Sequence, residues 1–139
     1  MIYIDKLEYE KVVEQAKNEF PNECCGYLAG STSEEDIFIK KIYPLTNTDK
    51  SSEHFSMDPK EQFNALKSIN NAGLKIVGNY HSHPYSPSRP SEEDKRLAFD
   101  TEILYGILSL EKPEHVFNLF KIDKDKNVEK LQYKIVSHF

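Results

Sequence analysis

The sequence predicts an α/β fold in which a mixed central β-sheet is flanked by helices. Three observations support this class. The 139 residues are 38% hydrophobic and 29% charged with no biased tract, enough chain to bury roughly 70% of its unfolded surface in one core. Stretches of helical periodicity alternate with short apolar runs bounded by turn residues. Their order, α-β-β-α-β-α-β-β-β, mixes hairpins with helical crossovers, which points to a mixed sheet covered by helices.

A first helix is expected over about Asp5 to Glu19, because Leu7, Val12, Val13, Ala16 and Phe20 fall near one stripe with Glu and Lys between them. Pro21 ends it. Cys24 to Ala29 reads as a short buried strand closed by Gly30, and the polar turn over 31–36 leads to a second strand, Ile37 to Tyr43, in a hairpin arrangement. After a polar loop, Asn47 to Glu53, Asp58 has the character of an N-cap with Pro59 at the first helical position. That helix runs to about Asn70, with Gly73 as its stop. Leu74 to Tyr80 is a buried strand leading directly into His81-Ser82-His83. The proline-rich stretch 84–90 is a loop, and Ser91 opens a short helix to about Phe99. Glu102 to Leu110 reads as a central strand, followed by Val116 to Ile122 and Val128 to Val136 as a hairpin with the polar tip 123–127. With no repeat, low-complexity tract or long linker, residues 1–139 are expected to form one domain.

Charge narrows the function. Lys and Arg number 18 against 23 Asp and Glu, a net charge of −5, and Arg89 and Arg96 are the only arginines. Such a chain lacks the clustered cations that phosphate binding and base readout require, so nucleic-acid partners are set aside. No run approaches the roughly 18 apolar residues of a membrane span, and the first residues show no signal-peptide pattern. The adjacent Cys24 and Cys25 can build neither a disulfide framework nor a CxxC metal knuckle. A reduced cytoplasmic protein is the expectation.

The chemistry concentrates in three places. Positions i and i+2 of a strand face the same side, so His81 and His83 can converge where their strand ends. Two imidazoles and one carboxylate would leave a fourth tetrahedral zinc position open, as a catalytic site needs; the bland alternative is one packed and one solvated histidine. Ser91 and Asp94 have capping-box spacing, and the same i, i+3 geometry would let Asp94 ligate a metal while Ser91 faces a substrate. Glu23 sits at the start of an apolar strand, an unusual place for a carboxylate without a partner, although an exposed strand-end Glu is the simpler reading. A cysteine nucleophile with a histidine base is the rival chemistry, against which Cys24 and Cys25 read more simply as buried small hydrophobes. His54, His115 and His138 are expected to be solvated, as is Arg89 between its prolines.

Together these residues resemble the JAMM (MPN+) family of zinc metalloproteases. Its signature is an upstream Glu, His-x-His, seven residues, Ser, two residues and Asp; here Glu23 is followed by His81-Ser82-His83, the seven residues Pro84 to Pro90, Ser91, and Asp94 after Glu92 and Glu93. The segments Pro21-x-Glu23-x-Cys25-Gly26 and Phe55-x-Met57-Asp58-Pro59 are similar to those of the short prokaryotic members, and the likeness runs from about Tyr3 to Val136. The resemblance implies an MPN-type, cytidine-deaminase-like layered architecture and one zinc ion held by His81, His83 and Asp94. It implies that Glu23 passes a proton from the zinc-bound water to the leaving amine, and that Ser91 stabilises the oxyanion. Cys25 would sit near the site, where its thiol could line the cleft without attacking. Substrates would be amide or isopeptide bonds after the C-terminal Gly-Gly of ubiquitin-like or sulfur-carrier proteins. The family also implies alternatives: a metal-free MPN scaffold that binds proteins, or a zinc amide hydrolase for another small substrate. A zinc nucleoside deaminase is excluded because its PCxxC ligand pair is absent.

Overall fold

The strands of the described residues join in one eight-stranded sheet. The computed structural model describes residues 1–137 and 139; the expectation for His138 lies outside them. The elements are β1 (Ile2–Asp5), α1 (Lys6–Glu19), β2 (Cys25–Ser33), β3 (Asp36–Leu45), α2 (Pro59–Asn71), β4 (Lys75–His83), α3 (Glu92–Arg96), β5 (Leu104–Ser109), β6 (Val116–Ile122), β7 (Val128–Leu131) and β8 (Tyr133–Val136). The strand order is β7-β6-β5-β4-β2-β3-β1-β8, and the sheet is mixed: β2 pairs antiparallel with β3 and β4, whereas β4–β5, β1–β3 and β1–β8 are parallel.

Local chemistry explains the helix starts. Asp5 caps α1 by accepting from the Glu8 N–H, and Asp58 caps α2 with Pro59 in its first turn. Val12 and Ala16 of α1 pack with Ile4, Leu28, Ile39, Tyr80, Leu104 and Leu119 in the main core. On the other face, Ala65 of α2 packs with Cys25 and Leu45. Successive strand residues face opposite sides, so Cys24 and Cys25 enter different cores.

Four expectations need correction. The expected order begins with a helix from about Asp5, but a strand over Ile2–Asp5 comes first, and its buried Ile2 and Ile4 pair with β3 and β8. The stretch expected as one strand, Val128 to Val136, is two strands. It breaks at Gln132, so that β7 pairs with β6 while β8 pairs with β1 at the opposite end of the strand order. One residue separates the two edges, so the sheet must curl on itself, and Tyr133 Oη donates across the seam to the Phe117 carbonyl at 2.6 Å. Gly30 does not close β2. It sits in a bulge within the strand, where a Cβ would lie 1.6 Å from the Phe38 carbonyl oxygen. Finally, α3 ends at Arg96 rather than near Phe99. No helix among the described residues is long and apolar enough to cross a membrane.

Candidate metal centre and adjoining cleft

The metal-ligand candidates meet where β4 ends. Its strand pairing continues through His83, so His81 and His83 project to one face while Ser82, fully buried, points to the other. The two Nε2 atoms lie 3.1 Å apart, and Asp94 Oδ2 lies 3.1 Å from His81 Nε2 and 3.2 Å from His83 Nε2. A tetrahedral zinc with bonds of about 2.0 Å would need its ligand atoms about 3.3 Å apart. The three donor atoms are therefore within a few tenths of an ångström of that spacing before any ion is considered. His83 Nδ1 donates to the Pro87 carbonyl at 2.8 Å, which fixes the ring with Nε2 at the position a metal ligand would take. The same triad is the one group of His, Cys, Asp and Glu among the described residues with ligand atoms this close. The donor set fits zinc.

Asp94 is held by the loop that precedes it. Ser91 Oγ accepts from the Asp94 N–H at 3.0 Å, and the Ser91 N–H donates to Asp94 Oδ2 at 2.9 Å. The capping box and the metal-facing geometry are thus the same arrangement, not alternatives. Burial alone would raise the Asp94 carboxyl, but hydrogen bonds from both imidazoles outweigh it and hold the group well below the usual range. Burial correspondingly disfavours the His83 cation, and the Asp94 and Pro87 oxygens reverse that effect.

Glu23 is 4% exposed, one residue upstream of Cys24. Burial pushes its carboxyl up to about 8, opposed by His83 and reinforced by Asp94, with lesser effects from His54 and Glu93. These influences place its carboxylate in the field of the triad. Ser82 Oγ accepts from the Cys24 N–H at 2.8 Å, so the strand that carries the histidines also holds the segment that carries Glu23.

Neither thiol is poised to act as a nucleophile. Cys24 and Cys25 are fully buried, and burial drives each to about 12, far from the thiolate that a nucleophile requires. Cys25 sits beside the site, paired across the ladder with His81 and packed with Leu45, Ala65, Phe55 and Met57, but its full burial keeps the thiol from lining the cleft. Arg89 is exposed as expected, and His115 lies against Tyr9. His54 is not merely solvated. Its Nδ1 lies 2.8 Å from Glu93 Oε1 across the mouth of the site, and its neighbour Phe55 stacks on the His81 ring at 4.6 Å. Beside the triad opens a cleft of about 250 Å³ bounded by Phe55, Met57, Asn79, Leu97 and Tyr105. The resemblance marks the segments that hold Ser82 and Phe55, but not the bond of Ser82 to Cys24 or the stacking of Phe55 on His81, because those contacts come from distant segments.

A family model described as prokaryotic homologs of the JAB domain matches residues 7–122. The chain belongs to this JAB family. It is a JAMM-type hydrolase, and its layered sheet with flanking helices is the family fold. The CysO-cysteine peptidase of Mycobacterium tuberculosis is 29% identical over 112 residues, covering 80% of this chain and 75% of the relative. The desampylase of Haloferax volcanii is 34% identical over 97 residues, covering 69% and 68%. The solution structure of protein DSY2949 from Desulfitobacterium hafniense superposes with a TM-score of 0.90 at 43% identity, over 99% of this chain and 94% of that one.

Proposed function

We propose that this chain, as one catalytic domain over residues 1–139, is a zinc metallopeptidase. Its substrate is the amide or isopeptide bond after the C-terminal Gly-Gly of a small ubiquitin-like or sulfur-carrier protein. The observation that carries this reading is the convergence of two imidazole Nε2 atoms and one carboxylate oxygen at 3.1–3.2 Å, beside a buried glutamate.

His81 and His83 through Nε2, and Asp94 through Oδ2, would hold one Zn²⁺. When bound there, zinc would polarise the scissile carbonyl and ease removal of a proton from water. Glu23 takes that proton on its carboxylate and returns it to the leaving amine nitrogen; a raised proton affinity suits a group that must both accept and release near neutral pH. Ser91 Oγ uses a lone pair for the Asp94 N–H, which leaves its own proton free to donate to the oxyanion. No acyl-enzyme is needed, consistent with two buried, protonated thiols. Those free thiols also suit a reducing, cytoplasmic setting.

The relatives named CysO-cysteine peptidase and desampylase support a protein carrier as partner. Glycines before the cleaved bond let the backbone approach a narrow site closely, while the carrier's folded surface would supply most of the binding energy. The test is a mass-spectrometric assay of ubiquitin-fold carriers bearing Gly-Gly, Ala-Ala or Val-Val before a C-terminal extension. Preferred release from the Gly-Gly carrier supports the reading. Equal cleavage of all three, or preference for short free peptides, would make the chain a zinc amide hydrolase for another substrate, and no cleavage by zinc-loaded protein would make it a binding scaffold.

A further inference from the structure

We propose that Asn47 is a positioning residue that sets the segment around Glu23 and the cleft wall around Phe55 in one register. This rests on the reading of Glu23 as the proton carrier. Asn47 lies just past β3, is 4% exposed, and uses its full side-chain hydrogen-bonding capacity. Nδ2 donates to the carbonyls of Glu23 and His54, both at 3.0 Å. Oδ1 accepts from the N–H groups of Asp49 at 3.0 Å and Ser56 at 3.2 Å. Two carbonyls on one side and two N–H groups on the other assign the amide's orientation.

The consequence is a mechanical link between two walls of the site. The Glu23 peptide is gripped on both sides by residues 47–57: its carbonyl by Asn47, and its N–H by the Ser51 carbonyl at 2.8 Å. The same amide holds the backbone on either side of Phe55, whose ring stacks on His81. A bridge between Asn47 and Met57 closes the loop. Asn47 touches none of the three metal-ligand candidates, so it can act on proton transfer and on the cleft without acting on metal retention.

The discriminating variant is Asn47→Asp, which keeps the size and both acceptor bonds but turns an oxygen toward two carbonyls. Asn47→Ser, which loses the bonds without adding charge, is read in the same way if the first variant does not fold. The substrate is a ubiquitin-fold carrier extended by one cysteine after its Gly-Gly. The folded variants are expected to bind one zinc per chain while kcat falls about 10- to 100-fold, as a misplacement near 1 Å can cause, and KM rises. Amide hydrogen exchange is expected to quicken at the Glu23 N–H in both variants, at the Asp49 and Ser56 N–H groups in Asn47→Ser, and to stay slow along β4. A purely structural role would lower the melting temperature but leave kcat and KM of folded protein at wild-type values, and that result would overturn the proposal. Glu23→Gln serves as the reference. If it is inactive while Asn47→Asp is fully active, only this inference falls; if Glu23→Gln is itself fully active, the reading of Glu23 falls and this inference with it.

Discussion

Replacing Glu23 by Gln tests the electrostatics of the site in the metal-free protein, without reference to substrate. Burial holds the folded carboxyl's proton to about pH 8, against 4.5 for the free group. Folding therefore takes up a proton between those values, and stability falls as pH rises through that window. It is fully present below about pH 4.5 and lost by about pH 8. A displacement of about 3.5 pH units at about 1.36 kcal/mol each sets a ceiling near 5 kcal/mol. Water reaching the site mouth screens part of this, leaving about 2–3 kcal/mol. Glutamine is neutral at every pH and lacks the loss. Metal-free wild type and Glu23→Gln should have nearly equal urea midpoints at pH 5. At pH 9 the variant's midpoint should lie higher by about 1 M, taking a slope near 2 kcal/mol per M. Parallel pH profiles for the two proteins would show that Glu23 is not held protonated by burial and would refute the reasoning. In catalysis the same substitution should cost at least about 10²-fold in rate, the lower range for removing a general base.

His83→Ala should abolish stoichiometric zinc binding in metal analysis, because it removes one of three converging donors; unchanged content would refute the ligand assignment. Chelation should stop hydrolysis yet leave the circular-dichroism spectrum folded, since Leu28, Ile39, Leu104 and Leu119 build a core independent of the ion. Iodoacetamide should leave the native enzyme active, because both thiols are fully buried and held near 12; rapid alkylation with loss of rate would revive a cysteine mechanism. Gly30→Ala should destabilise by about 1–3 kcal/mol in urea unfolding, since its Cβ would meet a backbone carbonyl at 1.6 Å that no side-chain rotation can relieve.

What the sequence by itself determined were features whose cause is local. Asp58-Pro59 announces α2 because capping and a fixed φ act within one turn. Ser91 and Asp94 announce their box because its two bonds span three residues. His81 and His83 share a face because strand side chains alternate, and Asp94 comes close because only the ten residues 84–93 of loop and cap lie between it and His83. The hairpin of β2 and β3 was legible for the same reason, a polar turn between two apolar runs. Tertiary structure decided whatever depends on partners far away in the chain. Ile2–Asp5 becomes a strand only because β3 and β8 accept its hydrogen bonds, and Val128 to Val136 divides at Gln132 because two different edges compete for it. Glu23 lies 58 positions before His81 in the chain, so no spacing rule could bring it into the field of the triad; the pairing of β2 with β4, and Ser82 holding Cys24, do so. Asn47 reads as an ordinary loop residue until the fold gathers two carbonyls and two N–H groups around it. A buried amide must find partners for every one of its polar groups, and only the folded chain specifies which ones.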